Sequence, residues 1–258
     1  MTHASSAVNC VLITGGAQRL GKAMALRFAR QGWDIALHYH RSHKQALQTA
    51  AEIEALGRRC ALVQGDLSDA QDRKDIFTRS VEQLGQLDAI INNASLFEYD
   101  NASQFSAELL NQHLGPNLVA PIELAQQLQQ HIQPHHPQRQ GVVINLLDQK
   151  LWGYNPDFFS YTLCKAALQS ATTMLAQGLA PYVRVVGLAP GLTMPSHLQS
   201  EDDFARTHAL APLGRASTPD DIANAALMLA ENPSITGSSL VVDGGQHLMG
   251  LQRDFSLL

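Results

Sequence analysis

Short apolar runs rich in β-branched residues alternate with longer stretches whose apolar positions recur every three to four residues. The runs fall at residues 8–14, 33–39, 60–64, 87–92, 141–147, 182–188 and 239–242. They are apolar almost throughout, the pattern of strands buried on both faces. Between them, Leu20, Met24 and Phe28 share one helical face that stops at Gly32. Ser42 with Gln45, and Ser68 with Gln71, have capping-box spacing and predict helices running to Gly57 and Gly85. Helical pattern covers about 103–132, broken at Gly115 and Pro116, and again 157–179. Residues 133–140 read as a polar loop, and 190–218 as irregular chain with one short helix that forms a lid over 192–210. Thr218, Pro219 and Asp221 open the last long helix with an N-cap, a first-turn proline and an acidic third position.

Strands alternating with helices imply right-handed crossovers and a parallel sheet covered on both faces. The expected fold is a Rossmann-like doubly wound α/β sheet of seven parallel strands, a single domain over residues 1–258.

Composition narrows the class. With 258 residues and 45% hydrophobic content, the chain can bury a large core. A formal net charge of −5 argues against nucleic-acid binding by bulk charge. The three cysteines, Cys10, Cys60 and Cys164, form no CxxC pair and suit a reducing compartment. No apolar run reaches membrane-span length, and MTHASSAVNC lacks the basic and apolar regions of a signal peptide. A cytoplasmic enzyme without a membrane or nucleic-acid partner is expected. His131, His135 and His136 lie in or beside a proline-containing polar segment without acidic or cysteine neighbours, so no metal site is expected.

The chemistry begins after the first strand, at Thr14-Gly15-Gly16-Ala17-Gln18-Arg19-Leu20-Gly21. Glycines at a strand-to-helix turn admit a pyrophosphate to the backbone N–H groups of the helix start. The second strand ends in His38-Tyr39-His40-Arg41-Ser42, without the carboxylate that holds an NAD ribose. Arg41 can pair with a 2′-phosphate, and His40 and Ser42 can donate to it, so the expected cofactor is NADPH/NADP. Asp66, with Leu67 beside it, either accepts from the adenine amino group or simply opens the next helix. Tyr161 and Lys165 stand one helical turn apart after the fifth strand. An ammonium beside a phenol favours the phenolate, and the pair can exchange a proton as hydride moves.

In order, the glycine turn, Asn92-Asn93-Ala94-Ser95, Tyr161 with Lys165, Pro190-Gly191 and Asp243-Gly244-Gly245 resemble a short-chain dehydrogenase/reductase from about Val8 to Gly245. That resemblance implies a catalytic Asn at Asn117. It also implies a homotetramer in contact through the helices around 103–132 and 157–179 and through the C-terminal segment. Two departures stand out. Arg19 replaces the middle glycine of the turn, and Asp148 stands thirteen residues before Tyr161, where the family keeps a serine. Both are similar to the pteridine reductase and dihydromonapterin reductase subgroup, as are HYHRS and NNAS followed by Phe97.

Singly, Asp148 also reads as a loop carboxylate, Phe97 as a core aromatic and Arg19 as an exposed helix-start residue. Together they predict reduction of a C=N bond in a pterin or folate-like substrate. Asp148 would relay the proton, Phe97 would stack on the heterocycle, and Arg19 and Ser95 would bond its polar edge or the cofactor phosphates. The expected catalytic set is Asp148, Tyr161, Lys165 and Asn117. The expected substrate set is Arg19, Ser95, Phe97, Asp148 and Tyr161. The expected cofactor set is Gly15, Arg19, Leu20, Gly21, His40, Arg41, Ser42, Asp66, Leu67, Asn93, Ala94, Ser95, Tyr161, Lys165, Pro190 and Gly191. Carbonyl reduction and non-enzymatic NADP binding are the alternatives. Trp152 and Tyr154 either line the substrate mouth or pack their loop.

Overall fold

The computed structural model describes residues 8–135, 138–195 and 199–258. Its seven strands are β1 (Cys10–Ile13), β2 (Asp34–Tyr39), β3 (Cys60–Gln64), β4 (Ala89–Asn92), β5 (Gly141–Leu146), β6 (Val183–Pro190) and β7 (Ser239–Val242). The helices are α1 (Arg19–Arg30), α2 (His43–Ala55), α3 (Ala70–Leu84), α4 (Ala107–Leu114), α5 (Ala120–His135), α6 (Phe159–Gly178), α7 (Glu201–His208) and α8 (Pro219–Glu231). All strand pairs are parallel, in the order β3-β2-β1-β4-β5-β6-β7. The single-domain Rossmann-like sheet expected from the sequence is present.

Alternate residues of each central strand serve opposite faces. In β1, Val11 and Ile13 pack with Met24, Phe28, Ile222 and Leu227 of α1 and α8. Cys10 and Leu12 pack with Ile76, Leu124, Leu128 and Ala176 of α3, α5 and α6. The central strands are mostly apolar because both of their faces are covered. The strand order reverses at β1, which has β2 on one side and β4 on the other, so a crevice opens at the carboxyl ends of β1 and β4.

Local details correct several expectations. The helix expected from Ser68 is capped instead by Asp69, whose carboxylate accepts from Gln71 N and Asp72 N. Ser68 is held by Asp66, which accepts both its N–H (2.9 Å) and its hydroxyl (2.8 Å). Ser42 is the N-cap of α2, but its side chain makes no capping hydrogen bond. The break at Gly115-Pro116 is a π-helical turn, Gly115–Val119, that joins α4 to α5 without ending the helical path. A bulge of this kind widens one turn and re-aims its side chains. Helix α5 runs on through Pro134 to His135, so the polar loop is shorter than expected.

His131 stacks edge-on against Phe77 (6.0 Å, 72°), while His136 and part of the expected lid, 196–198, lie outside the described residues. Among the described residues no cluster of three metal-ligating side chains occurs, and no helix is long and apolar enough to cross a membrane.

Helix α8 has the full capping box. Asp221 N donates to Thr218 Oγ1 (3.2 Å), and Asp221 Oδ2 accepts from Thr218 N (2.9 Å). Arg215 adds a further bond to that carboxylate (2.8 Å) and, with the cap, holds Asp221 down at about 2. Thr218→Ala is expected to cost about 1 kcal/mol of stability, read from urea unfolding.

Candidate active site

The segments that follow β1 to β6 build the crevice. Thr14, following β1, ties it to the chain leaving β4. Its Oγ1 donates to Ile91 O (3.3 Å) and accepts from Asn93 N (2.9 Å) and Ala94 N (3.0 Å). Asn93 Nδ2 returns bonds to Thr14 O (2.8 Å) and Gly15 O (3.2 Å). The fit leaves no room for a side chain at Gly21, where a Cβ would collide with the Gly15 carbonyl oxygen.

The sequence reading missed both Thr14 and His38. His38 is buried, and its Nδ1 accepts from Gly15 N (3.2 Å) while its Nε2 faces Gly65 O (3.1 Å). Because the Gly15 N–H can only donate, the ring proton sits on Nε2. Burial pulls His38 down to about 4, so the ring is neutral at physiological pH. It joins the glycine turn to the end of β3.

The resulting cleft has a volume of about 890 Å³. Along one half lie Gly15, Arg19, Leu20, Gly21, His40, Arg41, Ser42, Asp66, Leu67, Asn93 and Ala94. In the other half stand Ser95, Phe97, Asp148, Tyr161 and Gly191, with Leu192, Thr193 and Met194 beyond. Three expected site residues are not on its wall. Lys165 and Asn117 are buried behind it, and Pro190 ends β6. Of the two readings of Trp152 and Tyr154, a place at the cleft mouth is not met: both are exposed and neither is among the residues that line the cleft. The C-terminal residues Asp254, Phe255 and Ser256 do line it. No motif announced them; only the fold brings them there.

The cofactor half fits a phosphorylated dinucleotide. The start of α1 and the start of α2 both open onto it, and helix N-termini attract phosphate. Burial pushes Asp66 upward, but the two bonds from Ser68, aided by His40 and Arg41, outweigh it and hold the carboxyl below its ordinary value. Arg19 sits in the left-handed backbone region, with φ 53°, where the family's glycine would rest without strain. Its guanidinium crosses to Pro195 O (2.8 Å).

The other half is built on α6. Asp100 anchors its start by accepting from Ser160 N (2.9 Å), so the first turn presents Tyr161 to the cleft. Tyr161 OH donates to Asp148 Oδ2 (2.9 Å), and Asp148 Oδ1 accepts from Lys150 N (2.9 Å). Burial, then the nearby Asp254 carboxylate, pushes Asp148 above the ordinary carboxylate value. Burial and Asp148 together push Tyr161 well above the ordinary phenol. The expectation that Lys165 would favour the phenolate is therefore corrected. Lys165 Nζ donates to Leu146 O (2.6 Å) and lies 5.6 Å from the Tyr161 ring centroid, so it makes no direct bond to the hydroxyl. Burial lowers Lys165 to about 8.

Asn117, on the π turn, accepts from Leu96 N (2.9 Å) and Ser95 Oγ (3.1 Å) and donates to Leu96 O (2.9 Å). Its direct contacts thus hold the loop after β4. Phe97 stacks on Phe158 (4.0 Å, 17°) and meets Tyr161 edge-on (4.8 Å, 85°).

Sheet, crevice and paired Tyr and Lys on one helix define a doubly wound α/β enzyme with a nucleotide-type cleft. A family model described as enoyl-(acyl carrier protein) reductase matches residues 15–247, and the chain belongs to this short-chain dehydrogenase/reductase family of oxidoreductases. The L-rhamnose 1-dehydrogenase (NAD(P)(+)) of Sphingomonas sp. is 28% identical, over 92% of this chain and 96% of that protein. The 3-oxoacyl-[acyl-carrier-protein] reductase FabG of Staphylococcus aureus is also 28% identical, over 92% and 97%. Two solved structures are nearer. FolM alternative dihydrofolate reductase 1 from Brucella canis and that from Brucella suis, each holding NADP, are 38% identical with TM-scores of 0.89. They match 94% of this chain, and the match covers 95% and 96% of theirs.

Replacing His38 with Leu would leave the Gly15 N–H and Gly65 carbonyl unpaired. Stability is expected to fall by about 1–3 kcal/mol per buried orphan group, measured by urea unfolding.

Proposed function

We propose that residues 1–258 form one catalytic domain that reduces a C=N bond of a dihydropterin or pterin, with dihydrobiopterin, dihydromonapterin and dihydrofolate as candidate substrates. The observation that carries this reading is the Tyr161–Asp148 hydrogen bond on the cleft wall. A carbonyl reductase needs a neutral donor where Asp148 stands, and a carboxylate there would repel a developing alkoxide unless it were protonated. Reduction of C=N instead needs a proton at a ring nitrogen, which a carboxyl of raised proton affinity can hold and deliver. The similarity to two alternative dihydrofolate reductases supports the same substrate class.

The dinucleotide is NADPH, which supplies the hydride when bound. Arg41 and Ser42, with His40 beside them, are placed to take its 2′-phosphate, and no acidic side chain ends β2 to hold a free ribose hydroxyl. Gly15, Leu20 and Gly21 admit the pyrophosphate, while Asp66 and Leu67 face the adenine end. Asn93, Ala94 and Gly191 frame the nicotinamide end, and Pro190, at the end of β6, sets where Gly191 enters the cleft.

Phe97, backed by Phe158, gives the heterocycle a flat surface, and Arg19 and Ser95 take its polar edge. Asp148 donates its proton to the ring nitrogen, and the Tyr161 phenol, hydrogen-bonded to Asp148, re-protonates it. Lys165, lowered to about 8, lies behind Tyr161 and can exchange a proton near neutral pH. Asn117 fixes the loop that carries Ser95. We further propose a homotetramer, for which Leu163 and Met174 on α6, both exposed, are apolar contact candidates.

Loss of NADPH absorbance with each pterin and with a reactive diketone tests the substrate class. Pterin turnover without diketone turnover is expected, and diketone turnover alone would overturn the reading. Asp148→Ser is expected to lose pterin reduction by at least about a hundredfold, the range of one positioned acid. Activity is expected to fall as pH rises through the raised value of Asp148, because only its protonated form delivers the proton. Arg41→Ala is expected to raise the KM for NADPH on the order of tenfold and to leave that for NADH nearly unchanged.

A further inference from the structure

Beside Asp148 lies a charge pair, one partner buried and the other half-buried on the cleft wall, that has no part in the relay just described. Lys150 follows Asp148 by two residues, on the 3-10 turn Gln149–Trp152, and its side chain is 1% exposed. Its Nζ donates to the Asp157 carbonyl oxygen and to Asp254 Oδ2 (3.1 Å). Asp254 arrives from the far end of the chain, and its segment is clamped. Arg253 Nε and Asp254 N each donate to Asp157 Oδ2 at 2.8 Å. Asp254 Oδ1 caps the last turn, accepting from Ser256 N (3.0 Å) and Ser256 Oγ (2.7 Å). The clamp seats Asp254 on the same cleft wall as Asp148 and Tyr161.

A buried ion pair is a poor device for stability, because desolvation offsets its attraction. Its position suggests a different use. The charged and titratable groups around Asp148 are Tyr161 and Lys165 from α6, Lys150 from the adjoining turn and Asp254 from the C-terminal segment, with Arg19 of α1 on the same cleft. Asp254 and Lys150 act on Asp148 with opposite sign. A neighbouring carboxylate favours its proton, and a neighbouring ammonium disfavours it.

We propose that Asp254 and Lys150 are a pair of positioning residues that set the proton affinity of Asp148, the Asp254 carboxylate keeping the acid protonated and the lysine limiting that effect. The proposal rests on Asp148 as the proton donor. It adds a residue more than a hundred positions away in sequence to the control of that step.

The test is the pH dependence of kcat/KM for dihydropterin reduction in full-length variants. Asp254→Asn leaves Lys150 unopposed, so the alkaline limb is expected to move down by about one pH unit. Lys150→Met leaves Asp254 unopposed, so the limb is expected to move up by a similar amount. The double variant is expected to return near the wild-type limb, and Asp254→Glu, which keeps the charge, to stay there. A clamp with only a structural role would lower activity in both single variants without moving the limb. Shifts of the same sign, or no shifts, would overturn the proposal.

An infrared titration of the Asp148 carboxyl band, assigned by its loss in Asp148→Asn, gives the same readout without turnover. If no pterin is reduced, the substrate reading falls. Opposed shifts of that band would still uphold the pair, and their absence would remove it.

Discussion

The Thr14 hydroxyl holds β1 to the segment leaving β4, and the geometry of the cleft depends on that tie. The two strands are neighbours in the sheet but their chains depart in opposite directions, which opens a gap at their carboxyl ends. Left alone, the backbone N–H groups of that gap would go unpaired, and unpaired buried donors are costly. Thr14 and His38 accept from those N–H groups, and the Asn93 amide donates to the carbonyl oxygens of Thr14 and Gly15 beside them. The glycine turn is thereby fixed before any ligand arrives, with its helix start facing the cleft.

Low dielectric does the electrostatic work in the other half of the site. Asp148, Tyr161 and Lys165 are all shifted toward their uncharged forms, and burial is the largest cause in each case. A tyrosine in this setting is a hydrogen-bond donor rather than a phenolate, and its hydroxyl points to the Asp148 carboxyl. The aspartate that stands where the family keeps a serine thus adds a second titratable group beside the tyrosine. It leaves the sheet and the dinucleotide half of the cleft as they are.

Among the described residues two non-glycine residues accept left-handed backbone, Arg19 on the cleft with φ 53° and Phe158 behind Phe97 with φ 54°. Such conformations cost on the order of 1–3 kcal/mol and persist where the surroundings impose them. Arg19 gains a guanidinium that reaches Pro195 O, and Phe158 gains full burial beneath Phe97. In both cases local strain sets a side chain where the cleft needs it.

Much of this protein was legible in one dimension. Doubly apolar strands, the period of the helices and the glycine turn determined the sheet and the place of the cleft, because these depend on local pattern and on burying both faces of a parallel sheet. Tyr161 with Lys165 was readable from a spacing of one helical turn, whereas Arg19, Phe97 and Asp148 were singled out only through the family resemblance, since each alone suits an ordinary structural place. The capping of α3 by Asp69 rather than Ser68 was not readable, because either residue suits the motif and the choice depends on the Asp66 contact. Nor were the neutral His38 bridge, the raised proton affinity of Tyr161 and the arrival of Asp254 beside Lys150. Each joins residues far apart in the chain or depends on exclusion of water, and only the tertiary structure brings such groups together and sets the dielectric in which they act.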